Sequence, residues 1–228
     1  FRHLELYFAI SGIGAICHTI NPRLSSEQMT YVVNHAEDKI IFLDLTFIPI
    51  IEAHLDKFPS STKYALMADK EHMLDCKIPN VICYEDLIEK ESSDFEWPEF
   101  DENTASGLCY TSGTTGSPKG VMLSNENILS NVYSIRQRFH DLPPYVTLNI
   151  LPWAHIYSQT CELYYNMLYD NPMALCTNRD SFLKECKEIS AHAASTSSLE
   201  PIAKRSTLIL VSEQVAGFTA NNKVSFTI

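Results

Sequence analysis

Nine residues near the middle of the chain, Thr111-Ser112-Gly113-Thr114-Thr115-Gly116-Ser117-Pro118-Lys119, concentrate groups that bind anions. The whole chain has 7 glycines, and three of them (Gly113, Gly116 and Gly120) fall within one stretch of eight residues. Glycines let backbone N–H groups approach an anion closely and accept positive φ. The hydroxyls of Thr111, Ser112, Thr114 and Thr115 add donors, and Lys119 adds a mobile positive charge. With no acidic residue among them, these groups make a phosphate cradle rather than a plain surface turn. The pattern differs from the G-x-x-x-x-G-K-[ST] phosphate loop, because Pro118 precedes Lys119 and Gly120 follows it. Val121-Met122-Leu123 also reads as a strand, so the loop joins two strands and grips phosphate without a helix dipole. Kinase and GTPase chemistry are excluded on those grounds.

Tyr110 to Val121 closely resembles the signature of the adenylate-forming superfamily, which includes acyl-CoA synthetases, aryl-CoA ligases, luciferases and peptide-synthetase adenylation domains. Leu151-Pro152-Trp153-Ala154-His155-Ile156-Tyr157 resembles that family's L-P-x-x-H motif. Gly14 to Leu24 resembles its G-A-x-x-x-x-x-N-P-R-L segment, and Tyr31 to Asp44 resembles the helix and strand that follow in fatty acyl-CoA ligases. The resemblance spans about Phe1 to Ser190, with the motifs in family order.

The resemblance implies a two-step ligation: a fatty acid carboxylate attacks the ATP α-phosphate, and CoA thiolate then displaces AMP from the acyl-adenylate. It implies ATP and Mg²⁺ as cofactors and CoA as co-substrate. Thr111 to Lys119, Ser117 and Pro118 included, would form the nucleotide-binding loop. Within it Ser112, Gly113, Thr114, Thr115 and Gly116 would hold the β- and γ-phosphates, and Thr111 would help hold Mg²⁺. Lys119 and His155 would be the catalytic residues, Lys119 steadying the loop or pyrophosphate. His155 would stand beside the reacting carboxylate, with Trp153 and Tyr157 near the wall of the acyl pocket.

The sequence also departs from the family. After Ser190 it holds no Y-G-x-T-E segment for adenine, no T-G-D motif for ribose, and no hinge or lid with a catalytic lysine; no Tyr follows Tyr169 and the last Gly is Gly217. The expectation is a partial adenylate-forming domain over 1–190 and an off-family, poorly ordered tail over 191–228. A ligase fragment without measurable turnover alone is the first reading. The alternatives are a non-catalytic nucleotide-binding or interaction protein of the same fold, or a fragment of an aryl- or amino-acid-adenylating enzyme.

The rest of the chain must position these motifs. Its 228 residues are 45% hydrophobic and 20% charged, an ordinary globular composition. A net charge of -11 argues against a nucleic-acid partner. Asp69 to Glu102 alone carries 12 acidic residues against three lysines, which reads as a solvated surface excursion. Seven scattered cysteines without C-x-x-C fit reduced thiols, in a cytoplasmic or otherwise reducing compartment. No Cys/His cluster suggests zinc, and the histidines other than His155 are assigned no role. No apolar run suits a transmembrane segment; peripheral membrane contact is compatible with a fatty substrate.

Helical and strand patterns alternate. Helices are expected over Glu5–Ile13, Ser25 or Ser26 to His35, Thr46–Lys57, Glu126–His140, Tyr157–Leu168 and Phe182–Ser190. Gln28 is placed for a capping box on Ser25, and a helical stub is expected over Glu85–Glu91. Strands are expected over Ala15–Ile20, Ile40–Leu43, Tyr64–Met67, Val81–Tyr84, Ala105–Thr111, Gly120–Leu123, Val146–Leu151 and Met173–Cys176. Such alternation predicts an α/β, doubly wound, mostly parallel sheet. Leu208–Val211 and Val224–Ile228 have strand-like composition within the tail.

Overall fold

Leu6, Tyr7, Ala9 and Ile10 recur at helical spacing and are all buried, forming the inner face of α1, Arg2–Gly12. Gly14 adopts φ +75, which suits a residue without Cβ, and turns the chain into β1, Ile16–Ile20, buried along its length. The computed structural model describes residues 1–111, 117–138, 146–176, 179–195 and 223–227.

Helix α2, Ser26–Ala36, begins with the expected capping box: the Ser25 hydroxyl accepts from the Gln28 N–H at 3.2 Å, and the Gln28 side chain accepts from the Ser25 N–H at 3.1 Å. β2 is Ile40–Leu43, entirely buried. The helix expected over Thr46–Lys57 is shorter and split: a 3₁₀ turn over Leu45–Phe47 leads into α3, Ile48–Glu52. Pro49 sits in the first turn, where its missing N–H costs no helical hydrogen bond. β3 (Lys63–Leu66), β4 (Ile82–Cys83), α4 (Tyr84–Glu89), β5 (Ala105–Thr111), β6 (Lys119–Ser124) and α5 (Asn125–Arg138) follow. Beyond them come β7 (Thr147–Asn149), α6 (Ile156–Ser158), α7 (Tyr165–Leu168), β8 (Met173–Leu175), α8 (Phe182–Ser195) and β9 (Lys223–Thr227).

The chain divides into two compact units, Phe1–Asn125 with Leu208–Ile228, and Glu126–Thr207. The first holds a seven-stranded sheet in the order β4-β3-β2-β9-β1-β5-β6, parallel at every pairing except β5 with β6. Both faces are covered, as a parallel sheet requires. Ile41 and Leu43 of β2 join Val32 and Val33 of α2 and Ile48 and Ile51 of α3 in one apolar cluster. Phe42, between them in sequence, meets Tyr84 edge-on, and the Tyr84 hydroxyl donates to Glu5 of α1 at 2.9 Å. Each such fully buried aliphatic side chain contributes roughly 1.5–3 kcal/mol. The doubly wound, mostly parallel sheet is therefore as the alternation implied.

Two elements fall within or extend into the stretch 191–228. Helix α8 continues past Ser190 to Ser195, and Lys223–Thr227 runs parallel to β1 on one side and β2 on the other. Leu208–Val211 lies outside the described residues. The acidic excursion is largely exposed, but Trp97 packs on Gly12 and Phe100 on Gly14. In the second unit β7 and β8 form a parallel pair. Among the described residues, no helix is long and apolar enough to cross a membrane.

Candidate functional site

The glycine-rich loop hangs from an antiparallel hairpin. Thr111 ends β5 and Lys119 opens β6, and the two are directly paired in the ladder. Both are exposed, as is Ser117, while Pro118 is half-buried. Ser112, Gly113, Thr114, Thr115 and Gly116 lie outside the described residues. The strand-loop-strand arrangement expected from Val121-Met122-Leu123 is what the hairpin shows, so no helix begins at Lys119.

Below the hairpin mouth, Tyr110 is held by residues from β1 and α2. Its hydroxyl lies 2.7 Å from His35 Nδ1, and its ring lies 5.1 Å from that of His18. Tyr31 stacks on the other side of His35, at 5.2 Å and 25°. His18 Nδ1 reaches both carboxylate oxygens of Asp38, at 3.0 and 2.9 Å, and both side chains are buried. Asp38 is brought there by the helix end before it. Glu37 takes the left-handed conformation (φ 56), and the Asp38 N–H donates to the Val33 carbonyl at 3.3 Å. Burial pushes the Tyr110 phenol up, with the Asp38 charge adding to it, so Tyr110 remains protonated throughout the neutral range.

In the second unit, the L-P-W-A-H segment runs from β7 into α6. His155 caps that helix, its Nδ1 accepting from the Tyr157 N–H at 3.2 Å. Accepting at Nδ1 places the proton of the neutral ring on Nε2, which makes Nε2 a donor suited to a carboxylate oxygen. His155 and Tyr157 are exposed, whereas Trp153 is 8% exposed. Of the two aromatics expected near the acyl pocket, Trp153 is buried and Tyr157 is open to solvent.

Among the described residues, no group of three His, Cys, Asp or Glu side chains could hold a metal ion. Thr111 offers a single neutral oxygen. That fits Mg²⁺, which commonly keeps water and substrate phosphates as most of its ligands.

A family model described as AMP-binding enzyme matches residues 1–202. The chain belongs to that family. Among curated relatives, this AMP-binding chain is 53% identical over 126 residues to a medium-chain-fatty-acid–CoA ligase of Ectopseudomonas oleovorans, covering 55% of this chain and 23% of that protein. It is 45% identical over 159 residues to a 3-methylmercaptopropionyl-CoA ligase of Ruegeria lacuscaerulensis, covering 68% and 29%. It thus spans less than a third of the length of these relatives. The ATP-bound structure of an RpMatB-BxBclM chimera shares the fold with TM-score 0.64 at 18% identity, covering 99% of this chain and 42% of that one.

The side chains that hold the AMP-binding motifs have no motif signature of their own. His18 and His35, given no role, brace Tyr110. Ser158, Gln159 and Glu162, unremarked in the sequence, bond the backbone of the L-P-W-A-H segment. The available signal was a set of polar residues at positions 158, 159 and 162 on a helix whose neighbours are buried.

Proposed function

We propose that this AMP-binding chain supplies the phosphate-gripping and carboxylate-facing part of an acyl-CoA ligase acting on fatty acids. The observation that supports it is the pairing of exposed Thr111 and Lys119 across the mouth of the glycine-rich loop. There an ammonium and a hydroxyl flank the two ends of a glycine-rich segment, residue types that suit a polyphosphate. In the reaction, a carboxylate oxygen bonds to the α-phosphorus while the bond to the pyrophosphate oxygen breaks. CoA thiolate then bonds to the acyl carbon and AMP leaves. Lys119 offsets the charge that collects on pyrophosphate, and the His155 Nε2–H orients the carboxylate; both effects are positioning and charge stabilisation. Thr111 would help hold Mg²⁺ together with phosphate oxygens, and the ion would supply charge neutralisation of the polyphosphate. The names of the relatives favour medium- and long-chain acids over aryl and amino acids.

The test is calorimetric titration of the purified chain with MgATP and with pyrophosphate. Binding is expected, weakened about tenfold or more in Lys119→Ala, the worth of one charge-assisted contact. Equal affinity in that variant, or no binding by the parent chain, overturns the assignment of the loop. With octanoate and CoA added, no acyl-CoA is expected, because the sequence lacks the Y-G-x-T-E and T-G-D segments. Turnover would show that this chain is catalytically sufficient.

A further inference from the structure

The segment from Ile150 to His155 has little regular structure of its own. Pro152 has no N–H to offer, and inside the segment the His155 N–H donates to the Pro152 carbonyl at 3.1 Å. Five of its backbone groups are met by side chains from the helical run that follows. The Ser158 hydroxyl, fully buried, is shared between the carbonyls of Pro152 and His155, the latter at 2.8 Å. The Gln159 Nε2 donates to the Trp153 carbonyl at 2.6 Å, and that residue is 3% exposed. The Glu162 carboxylate accepts from the N–H groups of both Ile150 and Leu151.

These three side chains lie where α6 gives way to a π-helical stretch, Gln159–Tyr164. The wider winding resets the angular position of Glu162 relative to Ser158. Such segments recur at functional sites. Glu162 is also held at a cost. Burial pushes its carboxyl up against the pull of the two N–H groups, and its Oε2 is buried without a hydrogen-bond partner among the described residues. An apolar residue of similar size would satisfy stability at least as well.

We infer that Ser158, Gln159 and Glu162 are positioning residues that template the backbone of Ile150–His155 and so set where the His155 imidazole is presented. The inference rests on the proposed role of His155 at the substrate carboxylate.

The chain has two tryptophans, so Trp97→Phe leaves Trp153 as the single reporter. In that background Glu162→Met is expected to shift Trp153 emission to longer wavelength. It should also move the Ile150 and Leu151 amide protons and the His155 ring signals, while the melting temperature changes by less than about 4 °C. Glu162→Gln, which keeps an acceptor oxygen, is expected to restore most of each signal. Unchanged amide and His155 signals in Glu162→Met overturn the template, and so does Glu162→Gln failing to restore them. If Glu162→Met does not fold, Gln159→Met serves in its place, with the same loss at Trp153 and His155 expected. None of these readouts needs a ligand. Titration with octanoate separately tests the role of His155: if its ring signals stay still while the Glu162 effects persist, the carboxylate reading fails and the template stands.

Discussion

The ring of Tyr110 lies against Gly120, the residue opposite it in the β5–β6 ladder. A Cβ at Gly120 would stand 3.2 Å from Tyr110 Cζ and 3.2 Å from Leu108 Cδ1. The next pair, Thr111 and Lys119, is the last before the glycine-rich segment, so the aromatic ring closes the base of the hairpin that carries that segment.

Gly120→Ala is therefore expected to lower stability by about 1 kcal/mol, because two neighbours must yield and one of them is itself tied to His35. Tyr110→Phe keeps the ring over Gly120 and loses only the link to His35, a loss of about 1 kcal/mol or less. Urea unfolding of both variants checks the order. A larger effect for Tyr110→Phe than for Gly120→Ala would mean that the hydroxyl, and not the ring, closes the hairpin.

His18 and Asp38 form a buried pair whose members depend on each other. Removing either partner strands the other in the interior, and His18→Ala or Asp38→Ala is expected to cost about 3–5 kcal/mol. The double variant should cost clearly less than the sum of the two. Additive losses in a double-mutant cycle would show that the pair contributes no mutual stabilisation.

His3 packs beside Tyr7, with ring centroids 5.0 Å apart and its Nε2 closed off from solvent. Burial, with a smaller contribution from the N-terminal ammonium, pushes the imidazole down to about 3 from its usual 6.5. Between those values the unfolded chain holds a proton that the folded chain does not. Stability therefore rises with pH through this window and is fully present above it, with a slope from this group of at most about 1.4 kcal/mol per pH unit. Unfolding free energies measured from pH 4 upward should rise more shallowly in His3→Phe than in the parent chain. Parallel slopes would assign the acid sensitivity to other groups.

Much of the local structure could be read from the residues because it is decided by neighbours in sequence. Ser25 and Gln28 are three residues apart and close their capping box without help from the rest of the chain. The β-branched run Ile40–Leu43 and the strand Ala105–Thr111 were likewise evident, as was the two-strand setting of the loop. The glycine-rich motif with the L-P-W-A-H segment was specific enough to point to the AMP-binding family before any fold was considered.

Other features depended on contacts between distant parts of the chain. His35 and Tyr110 are 75 positions apart and His18 and Asp38 are 20 apart, and no spacing rule joins them. They meet only because β1 and β5 lie side by side and α2 packs over that part of the sheet. Lys223–Thr227 is more extreme. Its composition suggested a strand, and its backbone completes ladders with both β1 and β2. A strand's partners are set by which edges the fold leaves open, and backbone hydrogen bonding carries no sequence label. Residue types and spacing were enough for the family, the alternation of elements and the gathering of hydroxyls, glycines and a lysine at Thr111 to Lys119. What holds the base of that hairpin and the His155 segment in place came from the folded chain, because those supports are side-chain-to-backbone and cross-element contacts.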